Sequence, residues 1–116
     1  MAGIETVDGG NWETFISHDP AAVLVLARSG CPACAAWTEE IERRLSEDPQ
    51  ALGAVRVGKM LLDRPGLADF KRANPWLASE VDVVPFNVLY HEGQRVKSFP
   101  GGGIDRLENR LSRLLG

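Results

Sequence analysis

Apolar residues change their spacing several times along the chain, and each change marks an element. Within residues 11–17, Trp12, Phe15 and Ile16 recur at helical intervals, with Asp8 and Asn11 placed to cap the start and Pro20 to stop the helix. Ala21–Ala27 is apolar at every position, which suits a strand buried on both faces of a mainly parallel sheet. From Pro32 onward, Cys34, Trp37, Ile41 and Leu45 fall on one side of a helix, while Glu39, Glu40, Glu42, Arg43 and Arg44 fill the other.

Residues 55–62 read as a second interior strand, closed by the turn residues Asp63-Arg64-Pro65-Gly66. Two helical pieces follow over 67–73 and 75–80, because Pro75 fits a helix's first turn better than its interior. Residues 86–91 and 94–99 form a hairpin around Glu92-Gly93, with Arg95 and Lys97 suited to an exposed edge strand. After Gly101-Gly102-Gly103, the series Ile104, Leu107, Leu111, Leu114 and Leu115 predicts a final amphipathic helix. The resulting order is α β α β α β β α, with no linker or repeat, so residues 1–116 read as a single domain of the α/β class.

A length of 116 residues, 44% hydrophobic and 25% charged, is enough for one core and no more. The net charge of -3 gives no electrostatic reason to expect nucleic acid or anionic lipid as partner. Residues 1–10 lack a basic and then apolar leader pattern, and the apolar run 21–27 is too short to cross a bilayer. The expectation is a cytoplasmic protein. Its two cysteines stand three apart, a spacing typical of redox or metal chemistry in a reducing compartment.

Cys31 and Cys34 fall on the first turn of the helix that Pro32 opens, within reach of a mutual disulfide. Cys31 takes the cap position, where unpaired N–H groups and the helix dipole favour a thiolate. Its pKa is expected to drop from about 8.5 into the range of roughly 3.5–7.5. Cys31 is therefore the nucleophile, and Cys34, further in and beside Trp37, resolves the mixed disulfide. Pro32 has no N–H, which leaves Ala33 and Cys34 as backbone donors to the sulfur. Competing readings are a zinc site, for which His18 and His91 offer no recognised spacing, and a purely structural disulfide, which would close too small a loop to stabilise much. A third is a dithiol surviving on a domain that only binds partners.

These residues resemble the thioredoxin family over nearly the whole chain. Gly30-Cys31-Pro32-Ala33-Cys34 follows a buried strand; Val57 to Asp63 looks like the family's central strand; Val83-Val84-Pro85-Phe86 looks like its cis-proline segment; Pro100-Gly101-Gly102 looks like its last loop. The resemblance implies the thioredoxin fold, a central mixed sheet flanked by helices on both faces. It also implies a cis Pro85 facing the dithiol and a Val84 backbone that pairs with an extended substrate. Gly30, Pro32, Phe86 and Gly101 would complete that groove, Phe86 as an aromatic contact where the family commonly has threonine.

Departures from the family pattern shape the expected chemistry. Gly30 replaces a tryptophan, Glu39 replaces a kinking proline, and Pro-Ala between the cysteines is nearer to glutaredoxin's Pro-Tyr. Val25 stands in place of the buried aspartate thought to deprotonate the resolving cysteine, so Lys59 loses its usual counter-ion. Lys59 is either an exposed strand lysine or, beneath the dithiol, a charge that favours the Cys31 thiolate and a more oxidising couple than the roughly -270 mV of thioredoxin. The function implied is thiol–disulfide exchange by a monomeric oxidoreductase. Its partners are protein disulfides and a thiol reductant or reductase, and it uses no cofactor or metal. The alternatives are a redox-inert peptide-binding or chaperone-like module and a glutathione-linked, glutaredoxin-like protein.

Overall fold

Every residue of the strand Ala21–Ala27 is fully shielded from water, and this strand is the centre around which the chain is wound. A computed structural model describes residues 3–115. In chain order the elements are β1 (Ile4–Thr6), α1 (Trp12–Ile16), β2 (Ala21–Ala27), α2 (Pro32–Glu47), β3 (Val55–Leu61), α3 (Ala68–Ala73), α4 (Trp76–Glu80), β4 (Phe86–His91), β5 (Gln94–Pro100) and α5 (Ile104–Leu115). The strands form one sheet in the order β1-β3-β2-β4-β5. β1, β3 and β2 run parallel, whereas β4 lies antiparallel to β2 and β5 antiparallel to β4. The sheet is thus mixed, as the resemblance implies.

Alternation along β2 divides the core into two layers. Ala22, Leu24 and Leu26 face Trp12 and Phe15 of α1 and Phe70 of α3, with Trp76 and Leu77 of α4 packed against them. Val23 and Val25 face Trp37, Ile41 and Leu45 of α2 and Leu107 and Leu111 of α5. Side chains level with one another on neighbouring strands share a face. Val25 is opposite Lys59 on β3 and Asn87 on β4, so all three lie under α2.

The pattern-based order lacks β1. Three residues are too few to show alternation, and β1 exists because its backbone pairs with Val57, Gly58 and Lys59 while Glu5 forms an ion pair with Arg56. Asp8 and Asn11 do not cap α1 with their side chains. Asn11 Oδ1 instead accepts the Asp8 N–H, its Nδ2 donates to the Thr6 carbonyl, and Asp8 Oδ1 accepts from Gly10, so the pair builds the preceding loop. The segment before β4 does hold two short helices, and Pro75 sits immediately ahead of α4. Arg95 on β5 fastens α4 by a two-pronged ion pair to Glu80 and by lying 4.1 Å over the Trp76 ring. At the hairpin, Glu92 and Gly93 both take positive φ, 53° and 79°, which explains why the turn forms and why glutamate signalled it poorly.

Gly58 lies where β3 passes beneath α1. A Cβ there would come within 2.7 Å of the Phe15 ring and also press on Val7, leaving no room for even a methyl group. Gly58→Ala is expected to lower the unfolding free energy by about 1–3 kcal/mol through overpacking, read as a reduced urea midpoint. An unchanged midpoint would show that the α1 layer yields freely.

Candidate active site

The buried β2 strand ends at Ala27, and after four residues the chain enters α2 at Pro32. Gly30 makes this turn with φ 71°, a left-handed conformation in which a bulky residue such as tryptophan would be strained. Cys31 is the N-cap of α2 in extended conformation, and Pro32 opens the helix. The Ala35 N–H donates to the Cys31 carbonyl at 3.1 Å, closing the first turn, and the Cys34 N–H donates to Cys31 Sγ at 3.1 Å. Of the two expected backbone donors, only Cys34 supplies one; no bond from Ala33 reaches the sulfur among the described residues.

Cys31 and Cys34 are joined as a disulfide with their Cα atoms 5.3 Å apart. The partners differ sharply in access: Cys34 is 1% exposed on the apolar face with Trp37, whereas Cys31 is only half-buried. The Val84–Pro85 bond is cis, and the Val84 carbonyl oxygen lies 4.0 Å from Cys31 Sγ. Pro85 accepts the Gly101 N–H at 2.8 Å, which brings the last loop to the same place. Gly30 and Pro32 thus line one cavity with Cys31, the Val84 carbonyl faces its sulfur, and Pro85 and Gly101 are bonded to each other next to Val84.

Phe86 does not join them. Its side chain is 5% exposed and points into the α1–α3 core, level with Leu26, so the expected aromatic contact to a partner is corrected to a packing role. Alternation along β4 explains this: with Asn87 facing α2, Phe86 must face the opposite layer.

Asn87 is the residue that pattern reading missed. It is fully buried, yet each end of its amide is engaged. Its Oδ1 accepts the Trp37 indole N–H at 2.7 Å, and its Nδ2 donates to the carbonyls of Phe99, at 3.2 Å, and Gly101, at 2.7 Å. One side chain thus joins α2 to the loop that holds Pro85. Gly102 rests on the same indole, since a Cβ there would lie 3.1 Å from the ring. The available signal was an amide between Phe86 and Val88 in a strand otherwise too apolar to tolerate one.

Lys59 is half-buried and shares with Cys31 a cavity of about 410 Å³, lined also by Arg28, Ser29, Gly30, Pro32, Ala35 and Leu61. It lies level with Val25, which offers no carboxylate, and it forms no ion pair among the described residues. Asp63, at the end of β3, accepts the Ser29 N–H at 3.0 Å; that backbone bond holds its carboxyl below the usual carboxylate range. His18 and His91 lie apart from the dithiol, at Pro20's end of β2, where His91 Nδ1 is 2.9 Å from the Pro20 carbonyl. Among the described residues no group of three His, Cys, Asp or Glu side chains is gathered as for a metal ion.

Neither a protein-family model nor a curated protein sequence matches the chain. Solved structures do. Thioredoxin f2 of Chlamydomonas reinhardtii superposes with a TM-score of 0.73 at 18% identity, over 97% of this chain and 96% of that one. The short form of thioredoxin f from spinach chloroplast gives 0.75 at 16% identity, over 99% and 96%. A mutant thioredoxin from Halobacterium salinarum gives 0.73 at 19%, over 96% and 89%. The chain has the thioredoxin fold. That fold accounts for the approach of α2's first turn to the cis-proline segment, because β2 and β4 are neighbours and both sites lie at the same end of the sheet.

Within this thioredoxin fold the Asn87 amide is the joint between the two walls of the site. Asn87→Leu keeps the volume but strands an indole N–H and two carbonyls, each costing about 1–3 kcal/mol when buried without a partner. The unfolding free energy in guanidinium chloride is expected to fall by roughly 3 kcal/mol or more. A loss below about 1 kcal/mol would mean that the three groups find other partners.

Proposed function

We propose that this chain is a thiol–disulfide oxidoreductase acting on disulfides of protein substrates. The observation that carries the reading is the pair itself: a formed Cys31–Cys34 disulfide at the head of α2, the outer sulfur accessible and accepting a helix N–H, the inner one buried behind it. In the reduced protein, the Cys34 N–H and the positive end of the 16-residue α2 would stabilise the Cys31 thiolate.

The thiolate attacks one sulfur of a substrate disulfide. A new S–S bond forms to Cys31, the substrate S–S bond breaks, and the departing substrate sulfur takes a proton. Cys34, after losing its own proton, attacks Cys31 Sγ; the Cys31–Cys34 bond forms and the second substrate thiol is released. Two electrons have passed from the dithiol to the substrate, and a separate thiol reductant or reductase restores the pair. No bound cofactor enters either step. The Val84 backbone beside Cys31 provides an edge along which an extended substrate can lie.

Lys59 lies in the same cavity as Cys31 without a counter-ion, so its charge favours the thiolate and makes the couple more oxidising. A monomer in a reducing compartment such as the cytoplasm fits a chain whose only cysteines form this dithiol.

Reduction of insulin by dithiothreitol tests the reading. Wild type is expected to accelerate the reaction, and Cys31→Ser to lose at least about 100-fold, because Cys34, the only other thiol, is buried and cannot reach a substrate disulfide. An inert wild type that still binds unfolded peptide would replace the enzyme with a binding module.

A further inference from the structure

A cavity of about 490 Å³ opens between the ends of β2 and β3 and the helices α3 and α4, and it shares Arg28 with the cavity that holds Cys31. Its apolar lining comes from the half-buried Leu62, Leu77 and Val81 and the exposed Ala78, and Arg28, Asp63, Lys71 and Asn74 supply the polar lining. The volume is that of a ligand pocket rather than a packing gap. Its two margins run on along the chain to the reacting centre. Arg28 stands three residues before Cys31, Val81 stands three before Val84, and Cys31 Sγ and the Val84 carbonyl face each other at 4.0 Å. Val83, next to Val84, is 58% exposed.

The charges at the rim are not balanced. The Asp63 carboxylate, which accepts the Ser29 N–H, offsets one of the two cations Arg28 and Lys71, so the rim carries a net positive charge. Arg28 and Lys71 are exposed and form no ion pair among the described residues. Arg28 also lines the smaller cavity that holds Cys31 and Lys59, so the cationic rim continues up to the attacking sulfur. The rim contrasts with the net charge of -3 on the chain as a whole.

We propose that this cavity is a substrate-specificity subsite, which takes an apolar side chain next to the attacked cysteine while Arg28 and Lys71 bind an adjacent carboxylate. The preferred substrate is an acidic protein segment with a Leu-like residue near its disulfide. The proposal rests on the disulfide-exchange reading, and it concerns which disulfides are chosen rather than how they are exchanged. A neutral segment would fill the apolar interior but leave both cations unpaired, and a basic one would be repelled by them.

The test uses the reduced full-length chain and cyclic disulfide peptides whose cysteines are flanked by Leu and Glu, Leu and Lys, or Gly and Glu, with 2-hydroxyethyl disulfide as a small neutral control. At about 0.01 M ionic strength, where screening acts over about 30 Å, kcat/KM is expected to be roughly tenfold higher for the Leu-Glu peptide than for the Leu-Lys peptide. Arg28→Glu with Lys71→Glu should invert that order once each peptide rate is divided by the rate of the same variant on the small disulfide, which corrects for the place of Arg28 in the Cys31 cavity. Ala78→Trp, which fills the cavity from the exposed side of α4, should remove the advantage of Leu-Glu over Gly-Glu. A Glu-over-Lys ratio that survives the double reversal would overturn the subsite, and so would a reversal that slows the small disulfide equally. Glutathione disulfide reduced faster than every peptide would make the cavity a small-thiol site instead. If wild type reduces none of these disulfides, the exchange reading itself fails and the subsite with it.

Discussion

The bond from the Cys34 N–H to the Cys31 sulfur ties the chemistry of this chain to its fold. It exists only if α2 begins at Pro32, and α2 begins there because Gly30 turns the chain out of a strand that cannot move. β2 is locked between two apolar layers and paired on both edges, which fixes the point at which the cysteines emerge. The helix in turn is held by Trp37, Ile41 and Leu45 against the sheet. The first turn of α2 is thus placed by packing along its whole length, and the sulfur inherits a donor it did not have to recruit.

The opposite wall is held by different means. Val84 and Pro85 belong to a connection between short helices and β4, where backbone alone would be poorly constrained. Gly101 bonds Pro85, and Asn87 bonds Gly101, Phe99 and Trp37, so a buried polar joint connects this wall to α2. A fully satisfied amide in an apolar layer specifies one arrangement more strictly than a hydrophobic side chain would, since any slip leaves three polar groups unpaired. The distance between Cys31 and the Val84 backbone depends on this joint as much as on the cysteines.

Much of this was legible in the residue pattern. The unbroken apolar run of β2, the helical series on α2 and α5, and the hairpin each carry a periodic signal long enough to read, and CPAC at a helix start carries its own chemistry. What escaped did so for physical reasons. β1 is three residues long and is made by pairing, not by pattern. Asp8 and Asn11 have the right chemistry for caps, but competing backbone partners took their side chains. Phe86 was placed in the groove because it follows Pro85, and strand alternation turned it inward. Asn87 needed the fold to show that three distant groups meet at one amide. The cavity beside Arg28 is likewise formed by segments remote in sequence.

Lys59, which shares a cavity with Cys31, forms no ion pair among the described residues, and the residue level with it on β2 is a valine. In the proposed reading the helix and the lysine act on Cys31 in the same direction, toward the thiolate. The most direct measurement is the rate of alkylation of the reduced protein by iodoacetamide as a function of pH, with Cys34→Ser isolating the outer thiol. An inflection at or below about 7.5 is predicted, within the range of activated cysteines. An inflection at about 8.5 or above, that of an ordinary free cysteine, would contradict it.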